Sequence, residues 1–416
     1  MQSEYTTTKS IANMPTSTDT QFDILLYGAT SFVGKIMITY LANLPQDGFS
    51  WAIAGRDEQK LIALKTKHNL ASLPHFVADA SDEAALTALS EKTKVIISTV
   101  GPYALYGETL VRVCAKTGTD YCDLTGEPQW IKAMLDKYEN DAKASGARII
   151  NSAGFDSIPS DLGVYLSQHL AIEKTGLPAE HIKMRVRKIK GGASGGTIAS
   201  MLNVMKEVGE NPKLRKMLVN PYILCGADNP FHVRQKNHKS AEFDKELGIW
   251  TMPFVMAAIN ERIVHRSNLL LNAKYGKAFK YDEAMSSKTA STAWITTLGL
   301  GAFVGAASFS PLRHILANYI LPKPGEGPSP SEQENGMYDM RFYATLSNGE
   351  KQVVQVTGDR DPGYGSTAKM LSQVALCLSR DVPELEGGFW TPAAGLGDKL
   401  MERLKLHAGV VVSEMH

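Results

Sequence analysis

Four cysteines in 416 residues leave little room for a disulfide framework. Cys114, Cys122, Cys225 and Cys377 show no CxxC spacing, so buried thiols in a reducing, cytoplasmic setting are expected. The ten histidines form no HExxH pair, and no metal site is expected. Neither sign of charge dominates: Lys plus Arg number 44 and Asp plus Glu 43, a net charge of +1, which offers nothing to nucleic acid. There is no internal repeat and no apolar leader. Residues 1–20 are rich in Ser and Thr and read as a disordered tail. Long hydrophobic runs are scarce, with one exception. No charge occurs between Lys288 and Arg313, and Trp294 to Phe309 is mostly apolar or small. Interrupted by Gly299, Gly301 and Gly305 and ended by Pro311, it is marginal for a membrane span, which needs about 20 strongly apolar residues. Residues 290–312 are read as a buried or lipid-facing helical segment, with membrane-surface contact as the alternative.

What is present is a globular composition, 44% apolar and 21% charged, in a chain long enough for two domains. Residues 21–155 alternate short apolar runs with helical patterns. Strands are expected at Phe22–Tyr27, Trp51–Ala54, Leu73–Val77, Val95–Thr99, Tyr121–Leu124 and Arg148–Asn151. Helices are expected at Val33–Leu44, Glu58–His68, Asp82–Ser90, Glu108–Thr117 and Pro128–Ser145. This order predicts βαβ units and a Rossmann-type, doubly wound parallel sheet. Residues 156–386 are expected to form a second, α+β substrate domain, with 211–290 hard to parse. A hairpin is predicted for Met340–Leu346 and Gln352–Gly358 around Asn348-Gly349, followed by a helix over Ser366–Leu378. Residues 387–416 are read as a helical segment packing back on the first domain.

The first strand runs into Gly28-Ala-Thr-Ser-Phe-Val-Gly34, a glycine-rich turn opening a helix. Such a turn offers free N–H groups and a helix dipole to a phosphate. Thr30, Ser31, Phe32 and Val33 complete it, with Ser31 in place of a middle glycine; its hydroxyl can itself bind phosphate. A Walker A loop fits badly, because Lys35 is followed by Ile36. The second strand ends in Ala54-Gly-Arg56, where a 2′-OH reader would be acidic. Arginine offers a planar fork to a 2′-phosphate, which favours NADP over NAD. Asp79, after the third strand, is read either as an adenine contact or as a cap for the next helix. The fourth strand ends in Thr99-Val-Gly101-Pro102-Tyr103, over the switch-point crevice where chemistry is expected. Tyr103 and Tyr106 are read as proton donors or as pocket walls.

Taken together, Gly28…Gly34, Ala54-Gly-Arg56, Val100-Gly-Pro-Tyr…Gly107, Tyr121-Cys-Asp-Leu-Thr-Gly-Glu127 and Gly154-Phe-Asp-Ser-Ile-Pro-Ser-Asp161 resemble the saccharopine dehydrogenase-like oxidoreductases. Ser194–Thr197, Pro324–Pro328, Asp361-Pro-Gly-Tyr-Gly-Ser-Thr-Ala-Lys-Met370 and Gly387–Pro392 are similar to its trans-acting enoyl reductase branch. The departure is Ser31, where relatives usually carry Gly. The resemblance implies an NADP-binding domain and reduction of a C=C bond in a lipid-like acyl or polyketide substrate. Tyr103 and Tyr364 are then proton-donor candidates, and Lys369, in a Gly-rich turn entering a helix, a candidate for holding an anionic or carbonyl oxygen. Asp156 and Asp161 are read as polar anchors, Asp161 equally as a helix cap. Two other readings stay open. One is a dehydrogenase for an amino acid or other small molecule, using arginines such as Arg185, Arg187, Arg234 and Arg341. The other is a non-catalytic NADP-binding protein associated with lipid or membrane. Self-association is also left open.

Overall fold

The computed structural model describes residues 20–45, 48–192, 195–316, 321, 323 and 326–415. The tail to residue 19, Ser194 of the Ser194–Thr197 motif and Pro324-Gly325 lie outside the described residues.

The first part of the chain reads β1 (Phe22–Tyr27), α1 (Phe32–Ala42), β2 (Trp51–Gly55), α2 (Glu58–Lys67), β3 (His75–Val77), α3 (Glu83–Ser90), β4 (Thr93–Ser98), the one-turn α4 (Tyr103–Tyr106), α5 (Glu108–Thr117), β5 (Asp120–Asp123), α6 (Pro128–Ser145) and β6 (Arg148–Ile150). There follow α7 (Ile158–Thr175), β7 (His181–Lys190), α8 (Gly195–Glu210), α9 (Pro212–Leu218), β8 (Glu242–Asp244), β9 (Ile249–Met252), α10 (Ala257–Leu270), β10 (Lys280–Ser287), α11 (Ala290–Ser308) and α12 (Ser310–Ile315). The last part holds α13 (Pro330–Glu334), β11 (Met337–Thr345), β12 (Lys351–Gly358), α14 (Thr367–Arg380), β13 (Gly388–Trp390), α15 (Gly397–Arg403) and β14 (Val410–Glu414).

Two seven-stranded sheets result. The first has the order β13-β6-β5-β4-β1-β2-β3, and every pairing in it is parallel. Ile24 of β1 lies opposite Trp51 on one side and Val95 on the other. Side chains alternate across the pleat. Ile24 and Leu26 join the core that contains Met37 of α1 and Leu371 of α14, whereas Leu25 and Tyr27 join the core of α3, α5 and α6. Both faces are therefore covered, as a parallel sheet requires. The second sheet has the order β14-β12-β11-β7-β10-β9-β8, with only β7 and β10 parallel. Its Ile182, Met184, Phe342 and Val356 enter the same core as Ile24 and Leu371, so one hydrophobic interior joins the two sheets.

The expected α/β architecture and the β11–β12 hairpin are both present, with Gly349 in the left-handed region of its turn (φ 88°). Residues 211–290, unparsed in sequence, supply three strands of the second sheet and α10. The 387–416 segment is not purely helical. Its β13 is the edge strand of the first sheet, and its β14 the edge strand of the second. Helix α14, assigned by sequence to the substrate domain, packs on α1, β1, β4 and β5 of the first sheet.

Candidate functional site

The crevice opens at the carboxyl edge of the first sheet, where β1 and β4 lie side by side. Gly28 has φ 86°, and a side chain there would come within 2.7 Å of Thr99 Oγ1 and Val100 Cγ2. Gly34 is equally constrained: a Cβ would stand 2.5 Å from the Gly28 carbonyl oxygen. Ser31 caps α1, its Oγ accepting from Gly34 N–H at 2.9 Å. Ser31 and Thr99 hydroxyls are 2.9 Å apart, and Thr99 Oγ1 donates to the Gly28 carbonyl at 2.9 Å. A single proton arrangement satisfies all three contacts: Ser31 donates to Thr99, and Thr99 to Gly28. The Ser31 hydroxyl is then used in holding the turn to β4, and its proton is not left for a phosphate. The N–H groups of Phe32 and Val33 head α1 without intrahelical acceptors, as the first groups of any helix do. Val33 is buried as a side chain, and Thr30 faces Gly55 of β2.

Arg56 lies exposed just after β2. Asp79 is also exposed and holds Ser81 N–H and hydroxyl at 3.0 and 2.7 Å; these bonds chiefly, and Arg56 in lesser part, hold its carboxyl below the usual range. Asp79 is not the cap of α3. That role belongs to Asp82, which accepts from Ala85 N–H at 3.0 Å. A bare-backbone turn, a helix N-terminus and an arginine at the next strand end together suit a dinucleotide bearing a 2′-phosphate.

Beyond β4, Gly101 and Pro102 lead into α4. Glu127 caps that turn, accepting from Tyr103 N–H and Ala104 N–H at 2.9 Å each. Burial raises the Glu127 carboxyl, against these two N–H bonds and one from the Ser200 hydroxyl. Helix α8 thus lies over the Gly101 turn, and a Cβ on Gly101 would sit 3.6 Å from Ser200 Oγ. Tyr103, weighed as a proton donor, has its hydroxyl turned into the sheet. It donates to the Ser98 carbonyl at 2.9 Å, its ring packs on Trp130 at 5.3 Å, and burial pushes its pKa well up. Tyr106 is about half exposed, at 49%.

Tyr364 does belong to the crevice. Its ring meets Phe32 edge-on at 5.1 Å, and its hydroxyl lies 3.1 Å from Thr197 Oγ1 at the start of α8. Asp361 fixes the turn by accepting from Tyr364 and Gly365 N–H at 3.0 and 2.8 Å. Lys369, two residues into α14 from Thr367, points elsewhere. Thr367 touches the Gly154-Phe155 loop, its Oγ1 accepting from Phe155 N–H at 3.0 Å. Two residues along a helix is a rotation of about 200°, and Lys369 pairs instead with Asp359 at 3.3 Å. Sequence reasoning assigned this amine to an anionic or carbonyl oxygen; it is instead engaged by Asp359.

The loop after β6 carries Asp156. Its carboxylate lies against bare backbone: a Cβ on Gly126 would be 3.8 Å from Oδ1, and one on Gly154 3.0 Å from Oδ2. The residue is half-buried, and among the described residues its carboxylate bonds only its own N–H. Burial, together with the nearby charge of Asp123, pushes its pKa up to about 7 against that bond. Asp123, by contrast, is saturated: Tyr121 hydroxyl, Asn151 Nδ2, Thr125 N–H and Ser152 N–H all donate to it. Asp161 is no cap but lies inside α7, tying Ser267 and Ala393 N–H to it. Sequence reasoning grouped Asp156 and Asp161 together; only the three-dimensional contacts separate them.

Of the arginines considered for substrate carboxylates, Arg185 and Arg341 are engaged. Arg185 is fully buried, paired with Asp282 at 2.8 Å and Asp244 at 3.2 Å, and Arg341 pairs with Asp339 at 3.1 Å. A cavity of about 730 Å³ lies at the other end of the second sheet, lined by Leu177, His181, Lys183, Tyr275, Tyr343 and Lys351. His181 begins β7, and the strand reaches the crevice side only after Lys190, where Gly191 abuts Pro362. Ten residues of strand span about 30 Å, so cavity and crevice are separate. No cluster of His, Cys, Asp or Glu among the described residues is arranged to hold a metal.

Residues 24–150 match the saccharopine dehydrogenase NADP-binding domain. Over 406 residues the chain is 40% identical to a putative trans-acting enoyl reductase of Mycobacterium tuberculosis, covering 94% of this chain and 96% of that one. It is 38% identical to a trans-acting enoyl reductase of Mycobacterium ulcerans, covering 95% and 98%. The apo saccharopine dehydrogenase (L-Glu forming) from Saccharomyces cerevisiae shares the fold, with a TM-score of 0.54 at 12% identity over 94% of this chain and 99% of that chain. This chain is an NADP-dependent oxidoreductase and belongs to the saccharopine dehydrogenase-like family, in its trans-acting enoyl reductase branch.

Proposed function

We propose that the chain reduces a C=C bond conjugated to a carbonyl in an acyl or polyketide chain, with Asp156 as the proton donor. Bound NADPH, for which the Gly28–Gly34 turn, the α1 N-terminus and Arg56 are suited, supplies the hydride. The observation that carries the reading is the Asp156 carboxyl, the one acidic group described in the loops after β4, β5 and β6 that belongs to a half-buried residue and has no second partner. A carboxyl with a pKa of about 7 is matched to donating a proton at neutrality. NADPH when bound would supply hydride to the carbon β to the carbonyl, and Asp156 would protonate the α carbon. The crevice also holds the aromatic rings of Phe32 and Tyr364, and the Gly101 turn lies under α8. The names of the two mycobacterial relatives support an enoyl substrate. An amino-acid substrate finds no support in Arg185 or Arg341, both already paired with carboxylates.

The test is NADPH oxidation with an α,β-unsaturated acyl thioester. Asp156→Asn should lower kcat about 100-fold or more while leaving NADPH affinity unchanged. Tyr364→Phe should retain most of the turnover. Full activity in Asp156→Asn, or collapse in Tyr364→Phe alone, would transfer the donor role to the tyrosine.

A further inference from the structure

Helix α11 is turned inside out for a protein in water. Its 19 residues have a mean hydropathy of 1.3 over an 18-residue window, yet only 11% of that window is buried. The residues packed inward are the small Ala293 and Ala307. The large ones face outward: Trp294 is 46% exposed, Ile295 71% and Leu298 66%. Val304, Phe309 and, on α12, Leu312 and Ile315 continue the exposed surface. Seven of the nineteen large exposed hydrophobic side chains among the described residues therefore fall within 22 positions, too concentrated for ordinary scatter.

Three further observations say what covers this surface. First, several hydroxyls of α11 are satisfied within the helix and its cap: Thr297 donates to the Ala293 carbonyl and Ser308 to the Val304 carbonyl at 2.8 Å each, and Thr289 and Thr292 pair at 2.9 Å. A polar group already bonded to its own helix does not need water. Second, the exposed half carries no charge, whereas a protein partner would usually find a polar rim. The nearest cations, Lys288 and Arg313, stand at the two ends of the charge-free stretch, where anionic headgroups would meet them. Third, the chain enters from β10 and leaves toward β11, and both strands lie in the same sheet. One crossing of a bilayer would leave these strands on opposite sides, so α11 cannot span. It can lie along the surface.

We infer that α11 and α12 form a docking face that inserts into one leaflet of an anionic phospholipid bilayer. Ala307 packs with Ile198 and Leu202 of α8, the helix that covers the Gly101 turn. The inserted face is thus joined directly to the roof of the crevice, on the route by which a lipid-like chain would arrive. Binding to the bilayer is read without turnover, so it stands or falls apart from the reductase reading.

The full chain should float with vesicles of phosphatidylcholine containing phosphatidylglycerol, and less with phosphatidylcholine alone. The double change Ile295→Glu with Leu298→Glu should cut vesicle partition on the order of 100-fold, with NADPH binding kept. In the unaltered chain, lipids brominated on their acyl chains should quench tryptophan emission, and Trp294→Phe should remove most of the quenched signal. This readout stands even where the double variant does not fold. A chain that stays unbound with both vesicle types overturns the proposal. So does a lipid-free dimer that the double variant breaks, which would make the face a contact between copies.

Discussion

Two carboxylates, one in each sheet region, show opposite ways of handling a charge. Asp282 of β10 has every partner it could want: Arg185 at 2.8 Å and the rings of His181 and His238 at 2.6 Å each. Burial alone would raise its pKa, but the two histidine bonds and the Arg185 charge outweigh it and hold the carboxyl well below the usual range. Asp156 has bare glycine backbone on two sides and a pKa pushed to about 7. The first cluster looks more like an active site, because it holds more ionisable groups. Its saturation makes it scaffold. A group left short of partners retains a proton to give.

This contrast can be broken by experiment. Asp282→Ala should leave buried Arg185 with Asp244 as its one carboxylate and remove the shared acceptor of His181 and His238, at a cost of about 3 kcal/mol of stability, read by chemical denaturation. The folded fraction should keep its turnover number; a selective loss of kcat with stability intact would move the chemistry to this cluster. A smaller effect is expected in the pH profile. Because the Asp156 pKa is raised, its donor form is present below about pH 7 and is lost above it. The value of kcat should be level on the acid side and fall about tenfold per unit on the alkaline side. Asp156→Asn should flatten that limb, and a wild-type profile without a break near neutrality would remove the carboxyl from the reaction. Smallest is Ser31→Gly, within the crevice but saturated like Asp282. It should cost only a few tenths of a kcal/mol, with NADPH affinity unchanged in a fluorescence titration. A large loss of affinity would mean that the hydroxyl serves phosphate after all.

Much of the first sheet was legible because its signals are local. A strand, a glycine turn and the start of a helix within thirteen residues from Phe22 to Gly34 announce their own geometry. The direction of a side chain is set by distant partners, and here local reading ran out. Nothing near Tyr103 in sequence says that its hydroxyl will find the Ser98 carbonyl, or that Lys369 will find Asp359. Asp156 was visible in a motif, but its distinction from Asp161 depends on Ser267 and the backbone of Ala393, more than a hundred positions away. The strands β13 and β14 were missed for a related reason. Each is short, and each becomes a strand only because a ready-made edge awaits it.

Those two late strands have a bearing on how the protein is made. β13 seals the β6 edge of the parallel sheet, and β14 seals the β12 edge of the mixed one. Between them the chain passes from one sheet to the other within twenty residues. During synthesis both sheets therefore stand with these margins open until residues 388–414 have left the ribosome. Unpaired margins of that kind invite pairing with the wrong neighbour. Residues 388–414 act as a clasp that closes the two margins together.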